Sequence, residues 1–203
     1  MARTKATSRP DLLVAAFEQI SEAGWAGWSP TELAVSTGRD LAEIYDAFPV
    51  PSALARRLGE RLDRAMLSIP ADELDGLSHR ERLFELLMRR FDAMRPFKPG
   101  LGRLVREARG EPEIMVASLC NLDRMAGWLI EMAELPYSGI EARFARRALM
   151  LAYARLFHVW IDDDTADLAE TMAELDKRLD QLERLAGFGD RLFAGLRRSP
   201  RAA

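Results

Sequence analysis

Cysteine is almost missing from this sequence, with Cys120 the single example among 203 residues. One thiol excludes an intramolecular disulfide framework and a cysteine-based metal cluster. Histidine is nearly as scarce, and His79 and His158 lie too far apart to supply a ligand spacing, so neither a metal site nor any other cofactor is expected. Long apolar runs are lacking as well. Charge interrupts each of them before the roughly 18 residues that a membrane span needs, and residues 1–10 contain no apolar segment of a signal peptide. These absences describe a reduced, cytoplasmic protein without stable membrane insertion. A large charge excess is absent too: 29 basic and 32 acidic residues leave a net charge of -3, which disfavours broad non-specific nucleic-acid binding but permits a local patch. Catalytic motifs are missing, with no phosphate-binding glycine loop and no Gly-x-Ser-x-Gly elbow, so no enzyme is expected. His158, inside an apolar stretch, reads as a core histidine.

What is present is helical patterning. Hydrophobic residues make up 48% of the chain and charged ones 30%, enough for a sizeable core and too apolar for disorder. Apolar residues recur at steps of three and four from end to end, and no stretch alternates at a period of two. An all-α fold of about nine helices follows, at about 10–23, 30–37, 41–48, 52–69, 79–95, 100–109, 112–134, 140–161 and 165–186, with ends uncertain by roughly two to four residues. Ser29, Ser78 and Ser138 each stand three residues before a glutamate (Glu32, Glu81, Glu141), the spacing of a capping box. Pro30 fits the first position of its helix. Asp162, Asp163 and Asp164 precede the last helix, where its N-terminal dipole favours negative charge. The domain boundaries implied are 1–51, a connecting helix over 52–70, and 71–203.

Two short helices joined at Gly38 and preceded by a longer one have the shape of a tri-helical helix-turn-helix. Trp28-Ser29-Pro30-Thr31-Glu32-Leu33-Ala34-Val35-Ser36-Thr37-Gly38, followed by Leu41-Ala42-Glu43-Ile44-Tyr45-Asp46-Ala47-Phe48, resembles the N-terminal domain of TetR-family transcriptional regulators over about residues 10–60. The resemblance implies duplex DNA as partner. It gives Ala34 and Gly38 to the turn, Ile44 and Phe48 to the small core, and Tyr45 to a backbone phosphate. Arg39, Leu41, Glu43 and Asp46 would face or flank the major groove, and Thr31 would donate to a phosphate at the start of its helix. Glu43 is a candidate acceptor for a cytosine amino group. Against these stands the charge of residues 1–51, four basic (Arg3, Lys5, Arg9, Arg39) and seven acidic. The arm carrying Arg3, Lys5 and Arg9, together with Arg56, Arg57, Arg61 and Arg64, is expected to supply phosphate contacts.

The second half carries two further patterns. Met115, Leu119, Leu122, Ala126, Leu129 and Ala133 form one seam, and Leu168, Met172, Leu175, Leu179 and Leu182 another. The intervening helix, Phe144 to Ile161, is apolar around most of its circumference, as for a helix covered on two sides. By the TetR resemblance, residues 140–186 form a homodimer interface, with Leu175 and Leu179 the interface-facing candidates. Arg82 to Pro96 and Val159 to Asp176 are similar to the C-terminal domain of TetR-fold lipid-binding proteins that assist ubiquinone biosynthesis. That similarity implies a pocket for a small apolar ligand, a lipid or isoprenoid. Its candidate lining is Met88, Phe91, Met94, Met115, Leu119, Met125, Trp128, Met132 and Trp160, with plain core as the competing reading. The nine basic residues between Arg80 and Arg109 read as a solvated face with helix-local ion pairs, and Phe188 to Leu196 as a frayed or packed end weakened by Gly187, Gly189 and Gly195. Two functions stand open: a ligand-controlled DNA-binding regulator, and a lipid-binding accessory protein that keeps the fold without binding DNA.

Overall fold

The structure, a computed structural model, describes residues 10–107 and 110–197, without the side chains of Ala71 and of 187–197. Ten α-helices and one 3-10 turn, and no strand, are found among the described residues. They are α1 (Leu12–Ala23), α2 (Pro30–Thr37), α3 (Leu41–Ala47), α4 (Ala53–Leu67), α5 (Ala71–Leu74), α6 (His79–Met94), the turn Arg95–Phe97, α7 (Lys98–Glu107), α8 (Pro112–Met132), α9 (Gly139–Asp162) and α10 (Ala169–Arg197). The four-residue α5 is the helix that the sequence pattern misses, being too short to show a period. At the far end α10 runs on to Arg197 instead of stopping near 186, so three glycines do not break its backbone.

The chain gathers into two compact units. The first comprises residues up to Ala65 together with Asp92–Asn121, the second Met66–Phe91 together with residues from Leu122 onward. This differs from the expected boundaries at 51 and 70, because Asp92–Asn121 returns to the first unit. The return is driven by packing with no local sequence sign. Phe97 meets Phe17 edge-to-face at 5.3 Å between centroids, and a Cβ at Gly100 would run into the Phe17 carbonyl oxygen, so α7 approaches α1 where only glycine fits. Arg103 of α7 donates to Glu107 on its own helix at 2.7 Å and also reaches α1, donating to the carbonyls of Ser21 and Glu22 at 3.1 and 2.7 Å and closing the C-terminus of α1.

Caps fix most helix starts. Ser78 and Glu81 complete the expected box, with the Ser78 amide donating to the Glu81 carboxylate at 2.8 Å and the Glu81 amide to the Ser78 hydroxyl at 3.3 Å. The Ser78 hydroxyl, which also donates to the Glu81 carboxylate at 2.7 Å, and then the Ser78 amide hold that carboxyl below its ordinary range. Ser29 accepts from the Glu32 amide, but Glu32 turns instead to Gln19, whose amide donates to it at 3.0 Å. Ser138 caps α9 without a side-chain bond. The start of α10 is set by Asp163, which is buried. Its carboxylate accepts from the Thr165 amide at 3.0 Å and the Thr165 hydroxyl, and from the Thr171 amide and hydroxyl at 2.8 and 2.6 Å. Burial alone would raise its pKa; the four donors outweigh it and hold the carboxyl down at about 2. No group of carboxylates, histidines and cysteines able to hold a metal occurs among the described residues.

In the second unit α9 packs along α10. Leu175 and Leu179 are buried within this pairing, which corrects their placement on an outward interface: the seam is internal core. Of the basic residues expected on a solvated face, Arg95 and Arg103 make helix-local pairs with Asp92 and Glu107 at 3.1 and 2.7 Å, while others are engaged in tertiary contacts. Arg80 pairs with Asp176 and Asp180, Arg82 with Glu134 at 2.7 Å, and Arg89 with Glu73 at 3.6 Å. Arg90 is buried and donates to the Tyr153 hydroxyl at 3.2 Å.

Candidate nucleic-acid interface and apolar cavity

The turn between α2 and α3 is made by Gly38, which adopts the left-handed conformation at φ 63° and ψ 38°. Its amide and that of Arg39 bond back to the carbonyls of Val35 and Ala34, closing α2 as a left-handed glycine cap does. Ile44 and Phe48 are buried beneath the turn, as the resemblance implied, and Ala34 of the turn is buried with them. Trp28 packs edge-on to Phe48 at 6.4 Å and stacks on Trp25 at 5.9 Å. A firm base thus carries α3, whose opposite face is open.

On that face the candidate residues separate into two groups. Thr31, Leu41, Tyr45 and Asp46 are exposed, Leu41 by 54% and Tyr45 by 66%. Arg39 and Glu43 are half-buried and paired with each other at 3.5 Å. Arg39 also donates to the Pro10 carbonyl at 3.2 Å, and Glu43 accepts from the Asp40 amide at 3.4 Å at the start of α3. Glu43 is thus engaged at the start of α3 in the chain without DNA. Arg3, Lys5 and Arg9 lie outside the described residues. Arg57, not singled out as more than one of a basic cluster, donates to the carbonyls of Asp46 and Ala47 at 3.2 Å. Its charge thereby sits at the C-terminus of α3, where the helix dipole is negative. Arg61 pairs with Asp11 and lies over the Phe97 ring at 5.2 Å.

The second unit holds a half-open cavity of about 480 Å³. Leu83, Phe144, Ala148, Leu149, Leu179 and Leu182 give it an apolar wall, and the small Ala145 and Ala148 leave the space. His79 and Arg80 from α6 and Glu183 from α10 stand at its polar edge. His79 is fixed by a 2.8 Å bond between Nδ1 and the Ala133 carbonyl oxygen. The Arg80 guanidinium is held by Asp176, Asp180 and Glu183. None of the nine expected lining residues borders this cavity. Phe91, Met94, Met125 and Trp160 are fully buried, and Phe91 stacks against Tyr153 at 5.4 Å and meets Trp160 at 5.7 Å. Met88 and Met132 are half-buried. Met115, Leu119 and Trp128 are exposed, which corrects their assignment to an interior wall. The register of α8 explains the difference: Ile114, Asn121, Met125 and Leu129 face inward, with Asn121 donating to the Ala55 carbonyl at 2.7 Å. A polar residue at an inward position shifted the apparent apolar stripe by one residue.

On α9, Ile140, Phe144 and Leu151 are exposed by 60%, 61% and 74%. His158 is exposed along the same helix, so it is not a core histidine.

No family model and no curated protein matches the chain. Solved structures do match. A TetR transcriptional regulator from Nitrosomonas europaea ATCC 19718 is similar with a TM-score of 0.71 and 21% identity, over 85% of this chain and 95% of that one. A tetR-family transcriptional regulator from Streptomyces coelicolor gives 0.63 and 17%, over 91% and 84%. The transcriptional regulator FadR from Bacillus subtilis, in complex with stearoyl-CoA, gives 0.54 and 19%, over 84% and 95%. The chain therefore has the all-α fold of TetR transcriptional regulators.

Proposed function

We propose that this chain is a homodimeric, cytoplasmic transcriptional regulator that binds duplex DNA through α2 and α3 and is controlled by a small apolar ligand, a lipid or isoprenoid. The observation that carries the reading is the left-handed turn at Gly38, which presents exposed Leu41, Tyr45 and Asp46 on a helix whose other face is buried through Ile44. Tyr45 and Thr31 are the proposed phosphate contacts, and Arg3, Lys5 and Arg9 supply charge from the preceding arm.

The cavity supports ligand control. Its volume lies within the range of about 300–1,000 Å³ of small-molecule sites, and its wall is apolar. The structure of the Bacillus subtilis regulator with stearoyl-CoA gives a precedent on this fold for an apolar chain. Helix α6 begins in the cavity wall with His79, Arg80 and Leu83, and its last turn, from Asp92, belongs to the unit that contains α3. A ligand that favours one position of α6 would bias the DNA-binding unit through a continuous helix. Dimerisation through residues 140–186 is supported by the exposed Ile140 and Leu151 of α9.

Selection of duplex fragments from the genome of origin by the purified full chain at low salt tests the proposal. Enrichment of a common site is expected. Recovery of no preferred sequence would remove the regulator reading and leave the lipid-binding accessory function.

A further inference from the structure

The chemistry displayed by α3 restricts what sequence it can read. Between Ser29 and Val50 there is no lysine, asparagine or glutamine, and Arg39 is the one arginine. Recognition of purine edges in the major groove rests on those side chains: arginine or lysine on guanine O6 and N7, asparagine or glutamine on adenine N6 and N7. Arg39 is turned away to Glu43 and the Pro10 carbonyl. Glu43 is drawn into the start of α3 by the Asp40 amide. What α3 exposes instead is Leu41 in its first turn, Tyr45 on its flank, and Ala42 and Asp46, two residues either side of buried Ile44 and so on the face opposite it.

Two base substituents match this surface. The thymine 5-methyl group is the major-groove feature that apolar side chains recognise, and the cytosine 4-amino group is the donor that carboxylates recognise. We propose that α3 discriminates bases through these pyrimidine groups, with Leu41 and Ala42 against thymine methyls and Asp46 accepting from a cytosine amino group. This inference rests on the DNA-binding reading above. Arg57 on the Asp46 and Ala47 carbonyls supports it, because a cation placed there offsets the approach of the Asp46 carboxylate to phosphates. Leu41 is 54% exposed, so covering it with a methyl group removes apolar surface from water on both sides.

The test uses chemically edited duplexes of the site recovered from genomic selection. Replacing the thymines of each half-site in turn by deoxyuridine removes only the methyl group, and each contacted methyl should cost about fourfold in affinity, the equivalent of one buried carbon. Replacing purines by their 7-deaza analogues removes N7 and should change affinity by less than about twofold, since no side chain is assigned there. Leu41→Ala should abolish the deoxyuridine effect at the thymine that Leu41 covers and leave the one assigned to Ala42, while the protein keeps its helical circular dichroism, because the side chain is on the surface. A deoxyuridine effect unchanged at every thymine in Leu41→Ala would assign it to DNA shape and overturn the proposal. So would sensitivity to 7-deazapurines without sensitivity to deoxyuridine, or sensitivity to neither. Each of these leaves the DNA-binding function in place, whereas failure to recover any preferred duplex removes both.

Discussion

Replacing Asp163 by asparagine tests how the last helix is held. In the native chain the buried carboxylate accepts from two amides and two hydroxyls, of Thr165 and Thr171. An amide keeps one accepting oxygen and turns an NH2 group towards donors, leaving buried polar groups unpaired at about 1–3 kcal/mol each. A total loss of about 2–4 kcal/mol at pH 7 is expected. The loss should depend on pH. The carboxyl titrates at about 2 in the folded chain against its ordinary 3.8, so its extra stability is complete above about pH 4 and disappears as pH falls through the folded value. The shift corresponds to about 2 kcal/mol, of which about 1 kcal/mol is gone by pH 3. Urea denaturation followed by circular dichroism at pH 7, 4 and 3 measures both quantities. The gap between native and Asp163→Asn protein should narrow by about 1 kcal/mol between pH 7 and 3. A gap of constant size, or no gap at pH 7, would refute the assignment of Asp163 as an ionised cap.

Gly38→Ala places a side chain where φ is 63°, and since a Cβ there meets no neighbour the cost is conformational alone, about 1–2 kcal/mol in urea denaturation. Ala148→Trp fills the 480 Å³ cavity and should weaken binding of a neutral apolar fluorophore, N-phenyl-1-naphthylamine, by at least about tenfold; unchanged fluorescence titration would place binding elsewhere. Leu151→Glu, 74% exposed in the single chain, should give folded monomers in analytical ultracentrifugation if residues 140–186 join two copies; a native chain that is already monomeric would contradict the interface.

The helix-turn-helix was legible because its signals are local. Gly38 marks a left-handed cap, Pro30 a helix start, and Ile44 and Phe48 a buried face, each within a few residues of the next. The helix count was nearly complete for the same reason, with only the four-residue α5 too short to carry a period. The cavity was not legible. Its wall combines Leu83, Ala148 and Leu182, residues from three helices far apart in sequence, and the space is created by alanines that read as ordinary helix formers. Methionines and aromatics drew the candidate lining towards Phe91, Met125 and Trp160, which pack as core. The arginines of α6 and α7 misled in the opposite direction. Arg80, Arg90 and Arg103 looked like solvent-facing charge, yet their partners Asp176, Tyr153 and the Ser21 carbonyl are more than 60 positions away. Contacts at such separation leave no mark in a helical window.

The most direct measurement for the central claim is a fluorescence anisotropy titration of the selected duplex and a scrambled duplex of equal length, at 50 and 200 mM salt. The full chain should prefer the selected duplex by at least about 10³-fold, with affinity for both falling as salt rises because released counterions drive the phosphate contacts. Equal affinity for the two duplexes, or none for either at the lower salt, would contradict a sequence-reading role for α3.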